Sequence, residues 1–372
     1  MTPKKKYDYK RHIRLEEYRI AGWLNFVIFL SIAVIGYTDW RVVPNVSLGY
    51  LYILPIALSA LVNPRPLTIG LAVVCTFLQD IFFGTAPETV EVRMVRDLIT
   101  LAGFLIVGFL VTLVARQRSR LVEEVQRQRD EYEHDLVLAA QVQRQVLPKP
   151  LVCSSLELAA AMQTAQLLGG DYYDFFQISE DVVDVVIADV SGHGAAASLL
   201  MPSLAVALRL RARELSGPAA ILQDLDRVLK QITNMATFVT MFYARFNQAS
   251  RTLEYANGGH NPPLLLRSKS GESVQLEGGG GPIMGILPDP QFSNTVVALD
   301  QGDILTLFTD GVTEQENEAG DEFSIERLEE VVRKREAEPA DSLVADITDA
   351  VSAFAGEKGQ ADDLTVVVVK VL

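Results

Sequence analysis

Four long apolar runs in the first third of the chain constrain its folding more than any other feature. Each run is close to the roughly 17 to 25 residues that cross a bilayer as a helix. They cover about residues 21–37, 46–62, 67–84 and 98–115. The second run is short and contains Pro55, but its neighbours offer it a hairpin partner. The runs predict an all-α transmembrane domain of four helices over residues 1–116.

The charges that flank these runs predict the orientation of the domain. Basic residues before the first run are Lys4, Lys5, Lys6, Lys10, Arg11, Arg14 and Arg19, and those after the fourth are Arg116, Arg118 and Arg120. Lysine and arginine are enriched in cytoplasmic flanks, and an even number of helices brings both ends to one side. We therefore expect a multi-pass protein of the cell (inner) membrane with a cytoplasmic N-terminus and a cytoplasmic C-terminal domain.

One ionisable residue, Asp80, lies inside the third apolar run next to Gln79. A carboxylate in a membrane helix is costly unless it is paired or faces a cavity. Two interpretations follow. Asp80 belongs to a ligand or ion site in the bundle, or it lies near the helix end and bonds to a neighbouring helix or reaches the headgroups.

Residues 117–148 read as a helical linker rich in Glu, Arg and Gln. Apolar side chains fall on the a and d positions of nearly four heptads, with Arg129 and Gln143 at the remaining a positions: Val122, Val125, Tyr132, Leu136, Ala139 and Val146. This spacing predicts a parallel coiled coil and therefore a homodimer. The polar a positions keep a second interpretation open, a single amphipathic helix that lies on its own domain. Pro148 and Pro150 end the helix.

From residue 149 to 372 the pattern changes to short β-branched and aromatic segments separated by helices. Predicted helices cover 195–214, 218–235, 324–335 and 341–355. Predicted strands cover 156–162, 172–178, 182–189, 238–247, 252–256, 263–267, 273–276, 295–299, 304–309 and 365–371. Strand hairpins interrupted by helix pairs predict an α+β domain of two packed, mainly antiparallel sheets flanked by helices.

Acidic residues next to glycine recur where these strands begin or end. They are Asp171, Asp189, Asp310 and the pair Asp362 and Asp363. A single Asp near Gly is most often a turn former, but several at one sheet edge would make a hard-metal site. Carboxylates without His or Cys pairs suit Mg²⁺ or Mn²⁺, and two such ions would activate water for phosphoester hydrolysis. The net charge of −14 argues against nucleic acid as a partner.

Five motifs carry a family resemblance. In chain order they are GGDYYDFF, ADVSGHG, ANGGHNPP, LFTDGVTE and DDLTVVVV. Together with the preceding helix AAQVQRQVLPKP, they make residues 136–372 resemble the PPM (type-2C-like) phosphatases of the SpoIIE and RsbU branch. The resemblance implies an α-β-β-α sandwich, two Mn²⁺ or Mg²⁺ ions, and hydrolysis of phosphoserine or phosphothreonine. The usual substrate in this branch is a small phosphorylated anti-sigma-factor antagonist in a partner-switching pathway.

Position by position, the resemblance also implies a ligand set. The metal ligands would be Asp171, Asp189, the Val190 carbonyl, Asp310 and Asp362. Asp363 occupies a place often held by Asn in the family. Asp174 would either reach a third ion or cap a turn.

The family resemblance assigns roles to the histidines less directly. Eukaryotic members carry a histidine two residues after the ligand Asp, where this chain has Ser191, and His193 lies two residues further on. Either His193 or a bound water would donate the proton to the leaving serine oxygen. His260 and Asn261, in ANGGHNPP, are candidates for substrate binding, with the alternative that His260 shapes the loop.

These observations predict a membrane-anchored protein phosphatase whose activity is set by a membrane signal passed through the linker helix. Two alternatives belong to other classes. One is a catalytically inactive, membrane-tethered signalling or binding module, against which the retained carboxylates argue. The other is a transporter, for which four helices and one buried acid are thin support.

Overall fold

A computed structural model describes residues 3–41, 48–83, 89–191, 195–232 and 237–372. The chain divides into two compact units, residues 1–130 and residues 131–372. The second unit thus begins inside the predicted linker 117–148, because the last turns of the linker helix pack with it.

The first unit is helical. Its elements are α1 (Pro3–Arg41), a 3-10 turn (Gly49–Tyr52), α2 (Ile53–Val62), α3 (Arg65–Phe83) and the first part of α4 (Val90–Val146). The second predicted run thus forms α-helix only from Ile53, and Pro55 falls in the first turn, where a missing N–H costs no helical bond. A small core joins the helices, formed by Ile28, Ile32, Tyr52, Ile56, Ala72, Cys75 and Phe104.

By length and composition, two helical segments of the described chain could cross a membrane, Ala21–Arg41 and Val90–Val146, and the apolar segment Gly49–Val62 is shorter. Inside the first unit, Asp80 on α3 bonds to α4. Arg96 Nη2 lies 2.7 Å from Asp80 Oδ1, and Arg93 Nε lies 3.5 Å from it. Of the two interpretations of Asp80, the structure supports the bond to a neighbouring helix.

Helix α4 is continuous over 57 residues. The fourth apolar run and the polar linker were predicted as separate elements, but no break divides them. The helix ends at Val146, two residues before Pro148, as predicted.

The last turns of α4 lie on the second unit instead of facing another helix. Ala140 and Gln143 are buried, whereas the predicted core position Ala139 is exposed. The assignment of Gln143 to a coiled-coil seam is therefore wrong, whereas Ala139, which is exposed in the single chain, stays a predicted seam position. The physical reason is that the Gln143 amide bonds to the backbone of Gly169.

The second unit contains two sheets. Its strands are β1 (Leu156–Gln163), β2 (Tyr172–Ser179), β3 (Val182–Val190), β4 (Val239–Asn247), β5 (Thr252–Gly258), β6 (Leu264–Leu266), β7 (Ser273–Gln275), β8 (Gly280–Gly281), β9 (Thr295–Ala298), β10 (Ile304–Phe308) and β11 (Leu364–Val371). One sheet has the order β1-β11-β10-β6-β7. The other has the order β2-β3-β4-β5-β8, with β9 also paired to β5. All pairs are antiparallel except β5 with β8.

Helices cover the outer face of each sheet. They are α5 (Ala195–Glu214) and α6 (Pro218–Ile232) on the six-stranded sheet, and α8 (Ser324–Lys334) and α9 (Ala340–Ala355) on the five-stranded sheet. A short helix, α7 (Asp310–Thr313), follows β10. The predicted helix over 218–235 is present as far as Ile232, and residues 233–236 lie outside the described chain.

Side chains that alternate between the two faces of each strand form the core. In β3, Val183, Val185 and Ile187 face the other sheet, whereas Val186 and Ala188 face α5 and α6. Both faces are buried, which explains why every residue of the strand except Asp184 and Asp189 is apolar. The predicted α-β-β-α sandwich is confirmed.

Candidate metal centre

Strand pairing brings the acidic motifs to one edge of the sandwich. Asp171 precedes β2 and Asp189 lies near the end of β3, and the register Tyr172↔Ala188 makes these two neighbours. Asp310 follows β10, and Asp362 precedes β11, which pairs with β10 through Phe308↔Val366. Each sheet therefore contributes carboxylates from two adjacent strands.

Asp171 is held across the interface between the sheets. It is 2% exposed, and its Oδ2 accepts hydrogen bonds from Thr309 Oγ1 at 2.9 Å and Thr365 Oγ1 at 2.6 Å. Both threonines belong to the opposite sheet. Burial raises the pKa of the Asp171 carboxyl well above its usual range, and the Asp189 charge acts in the same direction, although both hydroxyls oppose the shift.

The carboxylates at this edge repel one another. Burial, followed by the charges of Asp310, Asp362 and Asp363, raises the pKa of Asp189 to about 7. Burial and the Asp362 charge also raise the pKa of Asp310. The charges that act on Asp189 are thus all of one sign, which is the condition that a bound cation relieves.

The donor set fits a hard divalent ion in its chemistry, because it consists of carboxylate and backbone carbonyl oxygens. Among the described residues, no three His, Cys, Asp or Glu side chains already enclose an ion-sized space. Ligands would therefore have to close around the metal. A side chain at Gly170 would place Cβ 2.8 Å from the Val190 carbonyl oxygen and 3.5 Å from Asp189 Oδ1. Glycine is needed here so that the backbone can approach those oxygens.

Asp363 holds the loop that precedes Asp171. Its Oδ1 accepts the Ala165 N–H at 2.9 Å and its Oδ2 accepts the Gly170 N–H at 2.7 Å. Both oxygens thus serve as loop anchors. Asp362, by contrast, is exposed, and its Oδ1 accepts the Asp363 N–H at 2.7 Å.

Asp174 lies on the other face of β2 from Asp171, because side chains alternate along a strand. It forms a buried ion pair with α5. Arg209 Nε lies 2.6 Å from Asp174 Oδ2 and Arg209 Nη2 lies 3.0 Å from Oδ1, while the Tyr172 hydroxyl donates to Oδ2 at 2.7 Å. The Asp174 carboxylate is thus held by α5 and Tyr172 and does not cap a turn, and its role as ligand of a third ion stays a prediction.

His260 is buried beside this edge. Its Nδ1 lies 2.8 Å from Thr240 Oγ1, and Thr240 is the direct neighbour of Asp189 across β3 and β4. The Asn257 amide holds the His260 backbone, accepting its N–H at 2.7 Å and donating to its carbonyl at 2.9 Å. Burial lowers the pKa of His260 to about 4, so the ring is neutral at pH 7. Asn261 is half-exposed.

His193 lies outside the described residues, which exclude 192–194. Three supporting residues were missed in the sequence. Thr309 and Thr365 stand inside the motifs LFTDGVTE and DDLTVVVV, where their hydroxyls were the available signal. Gln143 was noticed only as a polar residue at an a position.

The Gln143 amide clamps the loop that carries Asp171. Its Nε2 donates to the Gly169 carbonyl at 2.6 Å, and its Oε1 accepts the Gly169 N–H at 3.4 Å. Gly170 N–H in turn bonds to Asp363. Helix α4 is therefore linked to the acidic edge through the backbone of Gly169 and Gly170.

The fold and the acidic edge define a PP2C-type sandwich. The unit is similar to the SiaA-PP2C domain of Pseudomonas aeruginosa, with a TM-score of 0.56 and 20% identity, over 65% of this chain and 98% of that chain. At this identity the likeness concerns the fold.

The profile of the Stage II sporulation protein E (SpoIIE) family matches residues 179–372, more than half of the chain, and the chain belongs to that family. Residues 20–132 match a domain of unknown function, DUF4118. Phosphoserine phosphatase RsbU of Bacillus subtilis (strain 168) is 31% identical over 224 residues, which cover 59% of this chain and 65% of RsbU. Phosphoserine phosphatase RsbP of the same organism is 29% identical over 182 residues, covering 48% and 45%. The chain thus spans less than two thirds of either relative.

Proposed function

We propose that this chain is a metal-dependent protein serine/threonine phosphatase. The observation that carries the proposal is the concentration of like charge at one edge of the sandwich, with carboxylates delivered from both sheets. RsbU and RsbP, to which the chain is similar, are phosphoserine phosphatases, and this supports the same reaction class. Phosphate esters are anionic, so such an edge can receive one only after cations have reversed its charge.

Asp189, Asp310, Asp362 and the Val190 carbonyl would hold the ions, with Asp171 as a further ligand. Two Mn²⁺ or Mg²⁺ ions bound there supply a water deprotonated at neutral pH and neutralise charge on the phosphoryl group. Because the pKa of Asp189 is raised to about 7, an ion bound there would compete with a proton, and its affinity would rise with pH around neutrality. Thr309 and Thr365 hold the Asp171 carboxylate through Oδ2, which leaves Oδ1 as the oxygen that would ligate an ion.

The remaining polar residues take supporting roles. His260 would position Thr240 beside Asp189, since its ring is buried and bonded to that threonine. Asn261 stays the candidate for a substrate contact because it is half-exposed. Proton donation to the leaving serine oxygen falls to His193 or to a bound water.

The substrate class follows from the family. We expect a phosphorylated protein, in line with the partner-switching role that the sequence resemblance implies, with a small anti-sigma-factor antagonist as the partner. A protein substrate also fits the site, which lies at a sheet edge open to solvent at Asp362.

Large exposed apolar side chains support a membrane location for the first unit. On α1 they include Trp23, Phe26 and Phe29, which are 70%, 61% and 59% exposed. Soluble domains rarely expose contiguous apolar surface of this kind. We place these helices in the cell membrane as a multi-pass domain, with the second unit in the cytoplasm as the flanking charges predict.

Helix α4 is the element suited to carry a signal. It continues without a break from the apolar residues 98–115 to the Gln143 clamp on Gly169. Val122, Val125 and Tyr132 are 60%, 64% and 61% exposed in the single chain. A second copy of α4 would cover them, so we propose a homodimer joined over 117–135. Rotation or re-pairing there would move the Asp171 loop.

The test uses the full-length chain in detergent or nanodiscs with Mn²⁺, an aryl phosphate and a phosphoserine protein. Phosphate release that depends on a divalent ion is expected, and Asp189→Ala should abolish it. Asp181→Asn, an exposed residue of the β2–β3 turn, is the matched control and should leave turnover unchanged. Absence of turnover with every divalent ion and phosphoprotein would favour the inactive signalling module.

A further inference from the structure

Three polar side chains lie at one end of the helical core in the first unit. Asp39 follows the buried Ile32 by seven residues on α1, which places both on one helix face. Gln79 follows the buried Cys75 by one turn on α3, and Tyr52 is fully buried immediately before α2. Because successive helices run in opposite directions, the end of α1, the start of α2 and the end of α3 meet at this end.

The turn at residues 48–52 links the three side chains. Asp39 Oδ1 accepts the Leu48 N–H at 2.8 Å. The Gln79 amide packs against Gly49, where an added Cβ would lie 2.7 Å from Gln79 Oε1. The Asp39 carboxylate is also close enough to act electrostatically on the Tyr52 phenol. The 3-10 turn thus brings Asp39, Gln79 and Tyr52 around one small region.

Each of the three side chains has a buried polar atom without a hydrogen-bond partner among the described residues. These atoms are Asp39 Oδ2, Tyr52 Oη and Gln79 Oε1. Asp39 is 6% exposed and Tyr52 is 0% exposed. A single buried polar atom without a partner is costly and uncommon. Three at one place indicate that a ligand completes the set.

Asp80, the neighbour of Gln79, is a useful contrast. Its Oδ1 is matched by Arg96 and Arg93 of α4. The chain therefore supplies cations to the Asp80 carboxylate, while Asp39 Oδ2 has no hydrogen-bond partner among the described residues.

We propose that Asp39 Oδ2, Gln79 Oε1 and Tyr52 Oη bind a small monovalent cation. All three are hard oxygen donors, and an amide oxygen beside a carboxylate attracts positive charge. One carboxylate balances one positive charge, whereas a divalent ion would leave a net charge buried. The site gives a ligand class to the region that matches a domain of unknown function. It is independent of the phosphatase proposal.

The experiment measures binding to the full-length chain in detergent. Thermal unfolding is followed while NaCl, KCl or NH₄Cl replaces N-methyl-D-glucamine chloride at constant ionic strength. At least one small cation should raise the melting temperature saturably. Asp39→Asn should abolish the response, and Tyr52→Phe should raise the half-saturating concentration about tenfold, because a bond to a charged group is lost.

A second readout separates ligand binding from folding. In cation-free buffer Asp39→Asn should melt at a higher temperature than the wild type, because the unmatched charge has been removed. Thr38→Val, at the half-buried adjacent position, is the control and should keep the wild-type response. The proposal is overturned if no small cation differs from N-methyl-D-glucamine, if Asp39→Asn responds as the wild type does, or if only Mg²⁺ stabilises.

Discussion

Replacing Gln143 with leucine tests whether α4 controls the loop that carries Asp171. Leucine is close to glutamine in size, so the buried position stays filled while both bonds to Gly169 are lost. The 2.6 Å bond contributes about 1 kcal/mol, the 3.4 Å bond contributes less, and a buried Gly169 group without a partner costs about 1 to 3 kcal/mol. We expect the free energy of unfolding to fall by about 2 to 3 kcal/mol.

The same loss should reach the metal site. Gly169 is followed by Gly170, whose N–H bonds to Asp363, and then by Asp171. If about 2 kcal/mol of this restraint is lost from the metal-bound state, the Mn²⁺ concentration at half-maximal activity rises about thirtyfold. The assay is a Mn²⁺ titration of aryl phosphate hydrolysis by the full-length chain. The KM for substrate at saturating Mn²⁺ should change little.

Gln141→Leu is the matched control, because Gln141 is exposed on the same helix. It should leave both the stability and the Mn²⁺ titration unchanged. The reasoning is refuted if Gln143→Leu lowers the free energy of unfolding as expected but keeps the wild-type Mn²⁺ titration and turnover. The clamp would then hold the domain together without controlling the site.

Three further predictions concern other contacts. Thr365→Val removes the 2.6 Å bond to Asp171 and should weaken Mn²⁺ binding, measured by calorimetry, about tenfold; Thr306→Val, which removes a buried hydroxyl without a partner among the described residues, should leave binding unchanged. His260 is neutral when folded, with a pKa of about 4 against 6.5 unfolded, so its contribution to stability is present above pH 6.5 and is lost as the pH falls toward 4. Urea unfolding should show about 2 kcal/mol of this loss between pH 7 and pH 5, and His260→Asn should remove that part of the pH dependence; an unchanged dependence would contradict the assignment. Inserting one or two residues within 121–130 rotates the following helix by about 100° per residue and should alter phosphatase activity, whereas seven residues should restore it; activity that ignores every insertion would exclude a relay through α4.

Much of the second unit could be predicted because its signals are local. Apolar runs bounded by glycine and proline placed the strands of the sandwich, and 3.6-residue periodicity placed the four long helices. The acidic motifs also predicted which strand ends would meet, since antiparallel neighbours share an edge. Asp174 was harder, because the predicted strand over 172–178 does not show that Arg209 of α5 lies against its side chain.

The linker helix shows why a heptad pattern alone does not predict what a helix packs against. Leu136, Ala139, Gln143 and Val146 fit an a and d pattern, yet the same stripe can pack on a sheet domain as well as on a second helix. The structure buries Ala140 and Gln143 in the chain's own second unit. The two outcomes, packing on the sheet domain and packing on a second helix, differ at Gln143. Its amide bonds to Gly169, 26 residues away, and this contact shows that the end of α4 packs on the sheet domain.

The sequence by itself determined the apolar runs, the strand and helix pattern and the family's acidic motifs, because periodicity, turn chemistry and charge are properties of neighbouring residues. Tertiary structure decided which atoms of those motifs bond to one another. Thr309 and Thr365 bond to Asp171 across separations of 138 and 194 residues, and Asp39, Tyr52 and Gln79 converge only when three helices pack. Such contacts depend on how sheets stack and helices cross, which no local pattern encodes.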